Sequence, residues 1–165
     1  MEDSVDGIIA QWGRVRPDVD VSAMGVFGRL SRLTRLFERE LQGVFAQHGL
    51  QPGEFDILAT LRRADIDGRG LTAGQLADSA MVTSGAITNR LDRLLAKDLI
   101  TRETDPQSRR TIRIALTQRG CEVIDAALHD HVVNEERLLS TMTAGQREQL
   151  EGMLRALLQN HENRA

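Results

Sequence analysis

The residues best equipped for chemistry lie between Thr83 and Arg119. Thr83, Ser84, Gly85 and Ala86 open a segment whose apolar positions, Ile87, Leu91, Leu94 and Leu95, recur at helical spacing. Small residues at a helix N-terminus let the backbone approach a phosphate, and that end of a helix favours anions. Thr88 and Arg90 flank the apolar stripe, and Asn89 and Arg93 lie nearly opposite it. Groups able to reach base edges or phosphates therefore project from the polar side. Farther on, residues 105–110 read DPQSRR. Adjacent arginines at a hairpin tip, Arg109 and Arg110, suit the enhanced negative potential of a narrow minor groove. The expected DNA contacts are thus Thr83, Ser84, Thr88, Asn89, Arg93, Arg109 and Arg110. Taken singly, the helix could be an ordinary surface helix and the turn a solubilising one. The two in succession point to double-stranded DNA.

Charge distribution supports the same partner. The chain carries a net charge of -3. Residues 83–119 hold eight Lys/Arg against four Asp/Glu, a local charge of +4, which leaves -7 for the remainder. A basic module on an acidic body is a workable electrostatic footprint for phosphate binding.

Those residues need elements to hold them. Residues 3–14 predict a short helix with Val5, Ile8, Ile9 and Trp12 on one side, broken by Arg16-Pro17-Asp18. Ser22 is expected to cap a long second helix with Phe27, Leu30, Leu33, Phe37, Leu41, Val44 and Phe45 at helical spacing. Gly49 suits a left-handed cap after it. Pro52 opens a third helix through Arg63, with Phe55, Leu58 and Leu61 inward. Thr72 and Gln75 fit a capping box for a helix to Ser79. Thr83 or Ser84 caps the next, which runs to Lys97. Residues 99–103 and 111–116 read as strands, the second alternating Ile112, Ile114 and Leu116 against Arg113. Thr117 and Thr143 cap two final amphipathic helices. Helix, turn, helix and hairpin in that order describe a winged helix-turn-helix, mainly α with a small β-hairpin wing and a long helical dimerisation region. The expected division is 1–48 for N-terminal helices, 49–120 for the DNA-binding domain and 121–165 for C-terminal dimerisation helices. Residues of about 3–40 and 120–160 carry more apolar stripe than a monomer can bury, which predicts a homodimer.

Other chemistries find little support. Nucleophile, phosphate-loop and dinucleotide motifs are absent, so an enzyme is not expected, and no cofactor is implied. His129 and His131 stand two apart on a helix and do not share a face, so no metal site is expected. No apolar run is long enough to span a membrane. The N-terminus lacks a secretion signal, and the single Cys121 suits a reducing cytoplasm. Cys121 opens two alternatives: a thiol-oxidation-sensing regulator, or an inert thiol in a packed helix. A dimeric interaction module without DNA binding is a further alternative.

Residues from about Gly49 to Gly120 resemble the MarR family of transcriptional regulators. The resemblance is carried by Leu71-Thr72, by Gly85-Ala86-Ile87-Thr88-Asn89-Arg90-Leu91, by Leu99-Ile100, and by Asp105-Pro106 with Arg109-Arg110. It ends in Leu116-Thr117-Gln118-Arg119-Gly120. It implies a homodimeric repressor reading a palindromic operator. One departure stands out: Ser108 occupies a position where the family's wing often has Asp before the paired arginines. Which of Arg109 and Arg110 enters the groove is therefore left open.

The extra first helix with Trp12, followed by Arg16-Pro17-Asp18, is similar to the urate-responsive branch of that family, with regulators of trans-aconitate methyltransferase as close neighbours. That branch's ligand set maps onto Trp12, Asp56, Arg90 and Arg102, within Glu54-Phe55-Asp56, Thr88-Asn89-Arg90 and Leu99-Ile100-Thr101-Arg102. The resemblance implies a small anionic ligand such as urate or a tricarboxylate. The residue types suit it: two guanidinium forks for carboxylates or a planar anion, and an indole face for stacking. Arg90, on the flank of its helix, is able to turn toward the body and couple the ligand to the recognition helix. Each residue also has an ordinary reading. Trp12 could anchor its helix on the core, Asp56 could serve a helix dipole, Arg90 could contact phosphate, and Arg102 could pair with an acid.

Overall fold

The computed structural model describes residues 2–66, 68–79 and 87–163, with Arg109 described in its backbone only. The elements run α1 (Ser4–Val15), α2 (Ser22–Gln47), α3 (Pro52–Ala64), α4 (Ala73–Ser79), α5 (Ile87–Ala96), β1 (Ile100–Asp105), β2 (Ser108–Leu116), α6 (Gln118–Leu138) and α7 (Ala144–Glu162). Helices dominate, and the two strands form one antiparallel hairpin. The chain divides into two compact units, residues 1–43 and 44–165.

In the first unit, Asp3 caps α1 by accepting from the N–H groups of Val5 and Asp6, and Asp6 returns the bond to the Asp3 N–H. This reciprocal box satisfies donors that a helix start leaves orphaned. Arg29 of α2 donates to both carboxylates, at 2.8 Å to Asp3 and 2.6 Å to Asp6. Val5 is buried against Gly28, where a Cβ would stand 3.0 Å from Val5 Cγ1. The apolar side expected of α1 is covered only in part: Ile8 and Trp12 are exposed. The start of α2 also differs in its capping. The carboxylate of Asp20, rather than the hydroxyl of Ser22, meets the first helical N–H, with Ser22 itself inside the helix.

The second unit is built around α3. Gln51 precedes Pro52 at the first helical position, which fits proline's fixed φ and missing donor. Phe55, Leu58 and Leu61 are buried as their spacing predicts, and Ile57 and Thr60 are buried too. α3 packs against α4, α5, α6 and β2, so it is enclosed on more sides than one apolar stripe would serve. Phe45, at the end of α2, stacks on Phe55 with ring centroids 4.2 Å apart, and His131 of α6 closes the cluster 5.0 Å from Phe55. Gly49 takes φ +67 after α2, as expected of a left-handed cap. Thr72 and Gln75 form the capping box that starts α4.

The hairpin pairs Ile100 with Leu116 through Thr104 with Ile112, then shifts register to pair Asp105 with Ser108. It is longer than the sequence suggests. Leu71 adds a third, one-residue strand, exchanging two 2.8 Å backbone bonds with Ile114. Ile114 is buried beneath it, whereas Ile112, two residues toward the tip, is 54% exposed. The expected alternation of β2 therefore covers the core only at its base. Thr117 caps α6 through the Gly120 N–H, and Thr143 caps α7 through the Gln146 N–H. No residue of α7 is buried.

Candidate functional site

α5 presents two faces. Ile87, Leu91 and Leu94 are buried, while Thr88, Asn89, Asp92 and Arg93 are exposed. Amphipathic spacing dictates this division, and the exposed face carries the hydrogen-bonding side chains. Thr83 and Ser84, expected to lead this helix, lie outside the described residues.

Arg93 is outward but tethered. Its Nε donates to Glu54 Oε1 at 3.1 Å. One turn on, Lys97 Nζ donates to Glu54 Oε2 at 2.7 Å and to the Gly49 carbonyl at 2.8 Å. Glu54 Oε2 also accepts the Gln51 N–H at 2.8 Å, closing the α3 cap. The Glu54 carboxylate is fully buried, whereas Arg93 and Lys97 are partly exposed. Burial pushes the Glu54 carboxyl up, but Lys97, the Gln51 N–H and Arg93 outweigh it and hold it below the ordinary carboxylate value.

Arg90 turns the other way. Its guanidinium lies over Gly53, where a Cβ would fall 2.2 Å from Cζ and 2.3 Å from Nε. The absence of a side chain at position 53 makes that approach sterically accessible. Arg90 Nη1 is buried and has no hydrogen-bond partner among the described residues. Asp56 is half-buried in the same helix as Gly53. Burial raises its carboxyl above the ordinary value, an effect only partly offset by the charges of Arg90, Arg63 and His131. An oxygen acceptor would satisfy that buried donor, whereas the neighbouring Asp56 carboxylate, when ionised, opposes a further negative charge.

Arg102 donates from Nη1 to Asp92 Oδ1 of α5 at 2.9 Å, so it has an acid partner on the recognition helix. The four residues of the resemblance-derived set therefore fall as follows. Asp56 and Arg90 share one electrostatic environment, and Arg102 is joined to α5 through Asp92. Trp12 lies in the first unit, 43% exposed, lining a hollow of about 180 Å³ with Arg16, Val19, Val21 and Met24.

The wing has a staple of its own. Asp105 accepts the Gln107 N–H at 2.8 Å and Arg113 Nε at 2.7 Å. The turn's backbone bond and Arg113 hold its carboxyl below the ordinary value. Arg113 Nη1 reaches on to the Gly70 carbonyl at 3.0 Å, tying the hairpin to the loop before α4. Ser108 accepts from the Thr111 hydroxyl at 3.0 Å. Arg110 is exposed, and the Arg109 side chain lies outside the described atoms. Sequence reasoning missed Glu54, Lys97 and Arg113. The Arg93/Lys97 spacing of four was a usable signal for the first group: two cations on one helix face invite a shared acid.

Cys121 is half-buried in the first turn of α6. Among the described residues, no group of three His, Cys, Asp or Glu side chains could hold a metal, and no helix is long and apolar enough to cross a membrane.

The MarR family matches residues 50–112. The HTH-type transcriptional regulator PecS of Dickeya dadantii is 37% identical over 150 residues, 91% of this chain and 90% of that protein. Among solved structures, apo wild-type MarR from E. coli superposes with a TM-score of 0.64 at 26% identity, over 79% of this chain and 96% of the other. The S. aureus MepR–DNA complex superposes with a TM-score of 0.67 at 23% identity, over 79% and 92%, which is a likeness of fold. With a winged helix-turn-helix and relatives that regulate transcription rather than catalyse reactions, this chain belongs to the MarR family of DNA-binding transcriptional regulators.

Proposed function

We propose that this regulator is a repressor that binds a palindromic operator as a homodimer and is released by a small anionic metabolite such as urate or a tricarboxylate. Thr83, Ser84, Thr88, Asn89 and Arg93 contact DNA at the major groove, and Arg109 and Arg110 form the DNA-contacting tip of the wing, from which one arginine enters the minor groove. Trp12, Asp56, Arg90 and Arg102 hold the ligand. The observation that carries the ligand reading is the buried Nη1 of Arg90, which has no hydrogen-bond partner among the described residues.

The mechanism follows from where Arg90 is attached. Its backbone belongs to α5, and its guanidinium rests on α3. An anion that bonds this guanidinium acts on the recognition helix, and its charge repels Asp56. Release requires that the anion bind the DNA-free geometry more tightly than the DNA-bound one.

Exposed apolar surface supports the dimer. Leu128, Val132 and Val133 on α6 and Met153, Leu154, Leu157 and Leu158 on α7 are all exposed. A 19-residue amphipathic helix with nothing buried needs a partner surface.

Fluorescence anisotropy on the duplex just upstream of this gene, with and without urate, tests the whole reading. Tight binding reversed by urate in the wild type but not in Arg90→Ala supports it. Reversal that survives in both Arg90→Ala and Arg102→Ala overturns the site.

A further inference from the structure

We propose that Glu54 is a positioning residue for DNA binding: it fixes Arg93 through Nε so that the terminal nitrogens of the guanidinium meet a backbone phosphate. This rests on reading Arg93 as a DNA contact.

Glu54 is an unusual place to keep a charge. Its side chain is fully buried, yet its carboxylate partners are all polar: the Gln51 N–H, Lys97 Nζ and Arg93 Nε. A buried carboxylate persists only when its acceptor sites are filled by good donors. Here those donors come from two helices. The Gln51 bond fixes the carboxylate to the start of α3, and Arg93 and Lys97 then hold the last turn of α5 against it. Lys97 carries a second bond to the Gly49 carbonyl, so it is committed at both ends. Arg93 is not. Only its Nε is engaged, its side chain is 44% exposed, and among the described residues its two terminal nitrogens have no acceptor.

That division of labour matches guanidinium chemistry. The planar fork can bond one acceptor through Nε and another through its terminal edge, and holding the first fixes the plane of the second. A long side chain that must be immobilised on binding loses rotamer freedom, and a side chain already held in place loses less. Arg93 lies in the last turn of α5, whereas base reading in this architecture falls to residues nearer the helix start. The acceptor assigned to Arg93 is therefore a phosphate oxygen.

The test is a double-mutant cycle on the full-length chain, read by anisotropy on the wild-type chain's own upstream duplex across a salt series. Arg93→Ala should weaken binding and flatten the log–log salt dependence by about 0.9 for each phosphate it no longer neutralises. Glu54→Gln should weaken binding about tenfold, the loss of one charge-assisted hydrogen bond's worth of organisation. In the Arg93→Ala background, Glu54→Gln should add little. Additive losses in the double variant would overturn the positioning role while leaving Arg93 a DNA contact. Wild-type affinity and salt slope in Arg93→Ala would overturn the contact itself. Should Glu54→Gln fail to fold, as judged by circular dichroism, Arg93→Lys decides the matter. It keeps the charge without the fork, so it should retain the salt slope and still bind about tenfold more weakly. Wild-type affinity in Arg93→Lys would overturn the proposal.

Discussion

The guanidinium of Arg90 lies so close over Gly53 that a methyl group on that glycine would stand 2.2 Å from Cζ. One residue is on the recognition helix and the other in the first turn of α3. An approach this close makes Gly53 a direct means of displacing Arg90 without altering its charge.

Gly53→Ala should keep the fold and lose the ligand response. The overlapping atoms belong to the far end of a flexible side chain, so Arg90 moves aside while the α3 backbone stays. Alanine also favours a helix over glycine by roughly 0.5–1 kcal/mol, which offsets part of the strain. The expected result is a melting temperature within a few degrees of wild type, on the order of what a 1 kcal/mol change produces. Urate would release the operator only at about tenfold higher concentration, the equivalent of one missing hydrogen bond to a charged group. Calorimetric melting and urate-competition anisotropy on the same preparation check both halves. An unchanged urate midpoint would show that Arg90 does not hold the ligand.

Asp56 predicts a stability that runs opposite to the usual acid response. Burial raises its folded-state carboxyl above 3.8, its ordinary value, against the partial relief of Arg90, Arg63 and His131. The folded state therefore binds this proton more readily than the unfolded state. Its ionised form destabilises the fold at neutral pH, and that penalty fades as pH falls through the raised folded value toward 3.8. Asp56→Asn removes the penalty and should raise the melting temperature at pH 7 by on the order of a few degrees. The gain should shrink progressively in acid. Glu54 has the opposite sign. Its carboxyl is held below 4.5, so its stabilising contribution is present above that value and is lost as pH falls through the folded one. A gain in Asp56→Asn that is constant from pH 7 to pH 4 would contradict the assignment.

The fold was legible in sequence because its signals are local. Thr72 with Gln75, Thr117, and Thr143 with Gln146 each cap a helix through bonds spanning three residues, and apolar periodicity marks the buried faces between caps. The flank position of Arg90 was legible for the same reason. Its resting place on Gly53 was not, because nothing local in GEFD announces a cation 37 residues away in the chain. Glu54 illustrates the same limit. Its bond to the Gln51 N–H is local, and only tertiary packing brings in Arg93 and Lys97, 39 and 43 residues on. Arg113 was read as the solvent-facing member of an alternating strand, yet it staples Asp105 to the loop before α4. Polar partnerships between elements depend on tertiary geometry, which periodicity does not encode.

Gly120 marks a tight joint in the second unit. A Cβ there would fall 2.0 Å from the Leu99 carbonyl oxygen and 3.0 Å from its carbon. Unlike the Gly53 case, the obstacle is backbone, at the join between the hairpin and α6. Leu99 O also accepts the Thr117 N–H at 3.1 Å, so moving it disturbs that bond. Gly120→Ala should therefore cost about 3 kcal/mol or more, at the upper end of overpacking penalties, and lower the melting temperature by roughly 10 °C. DNA affinity measured well below that temperature should fall as well, because the hairpin base and the α6 cap shift together. A melting temperature within 2 °C of wild type, a change corresponding to about 0.5–1 kcal/mol, would show that the backbone yields freely.

Arg102 supplies the sharpest separation between an ordinary ion pair and a ligand contact. It bonds Asp92 at 2.9 Å, with Asp92 57% exposed and Arg102 31%. Such a pair contributes roughly 0–1 kcal/mol to stability, so Asp92→Asn should barely move the melting temperature. Its effect on an anion should be larger and favourable. A ligand recruiting Arg102 must compete with the Asp92 carboxylate, and removing that charge eliminates both the competition and a nearby repulsion. Asp92→Asn should therefore bind urate a few-fold more tightly, about 1 kcal/mol, and Arg102→Ala more weakly. Because Asp92 lies on the exposed face of α5, its removal also favours DNA. The binding must accordingly be read without duplex present, by titration calorimetry with urate. Tighter binding in Asp92→Asn together with weaker binding in Arg102→Ala places the ligand at this pair. Equal affinity in both variants confines Arg102 to the ion pair and leaves Arg90 as the arginine that holds the anion.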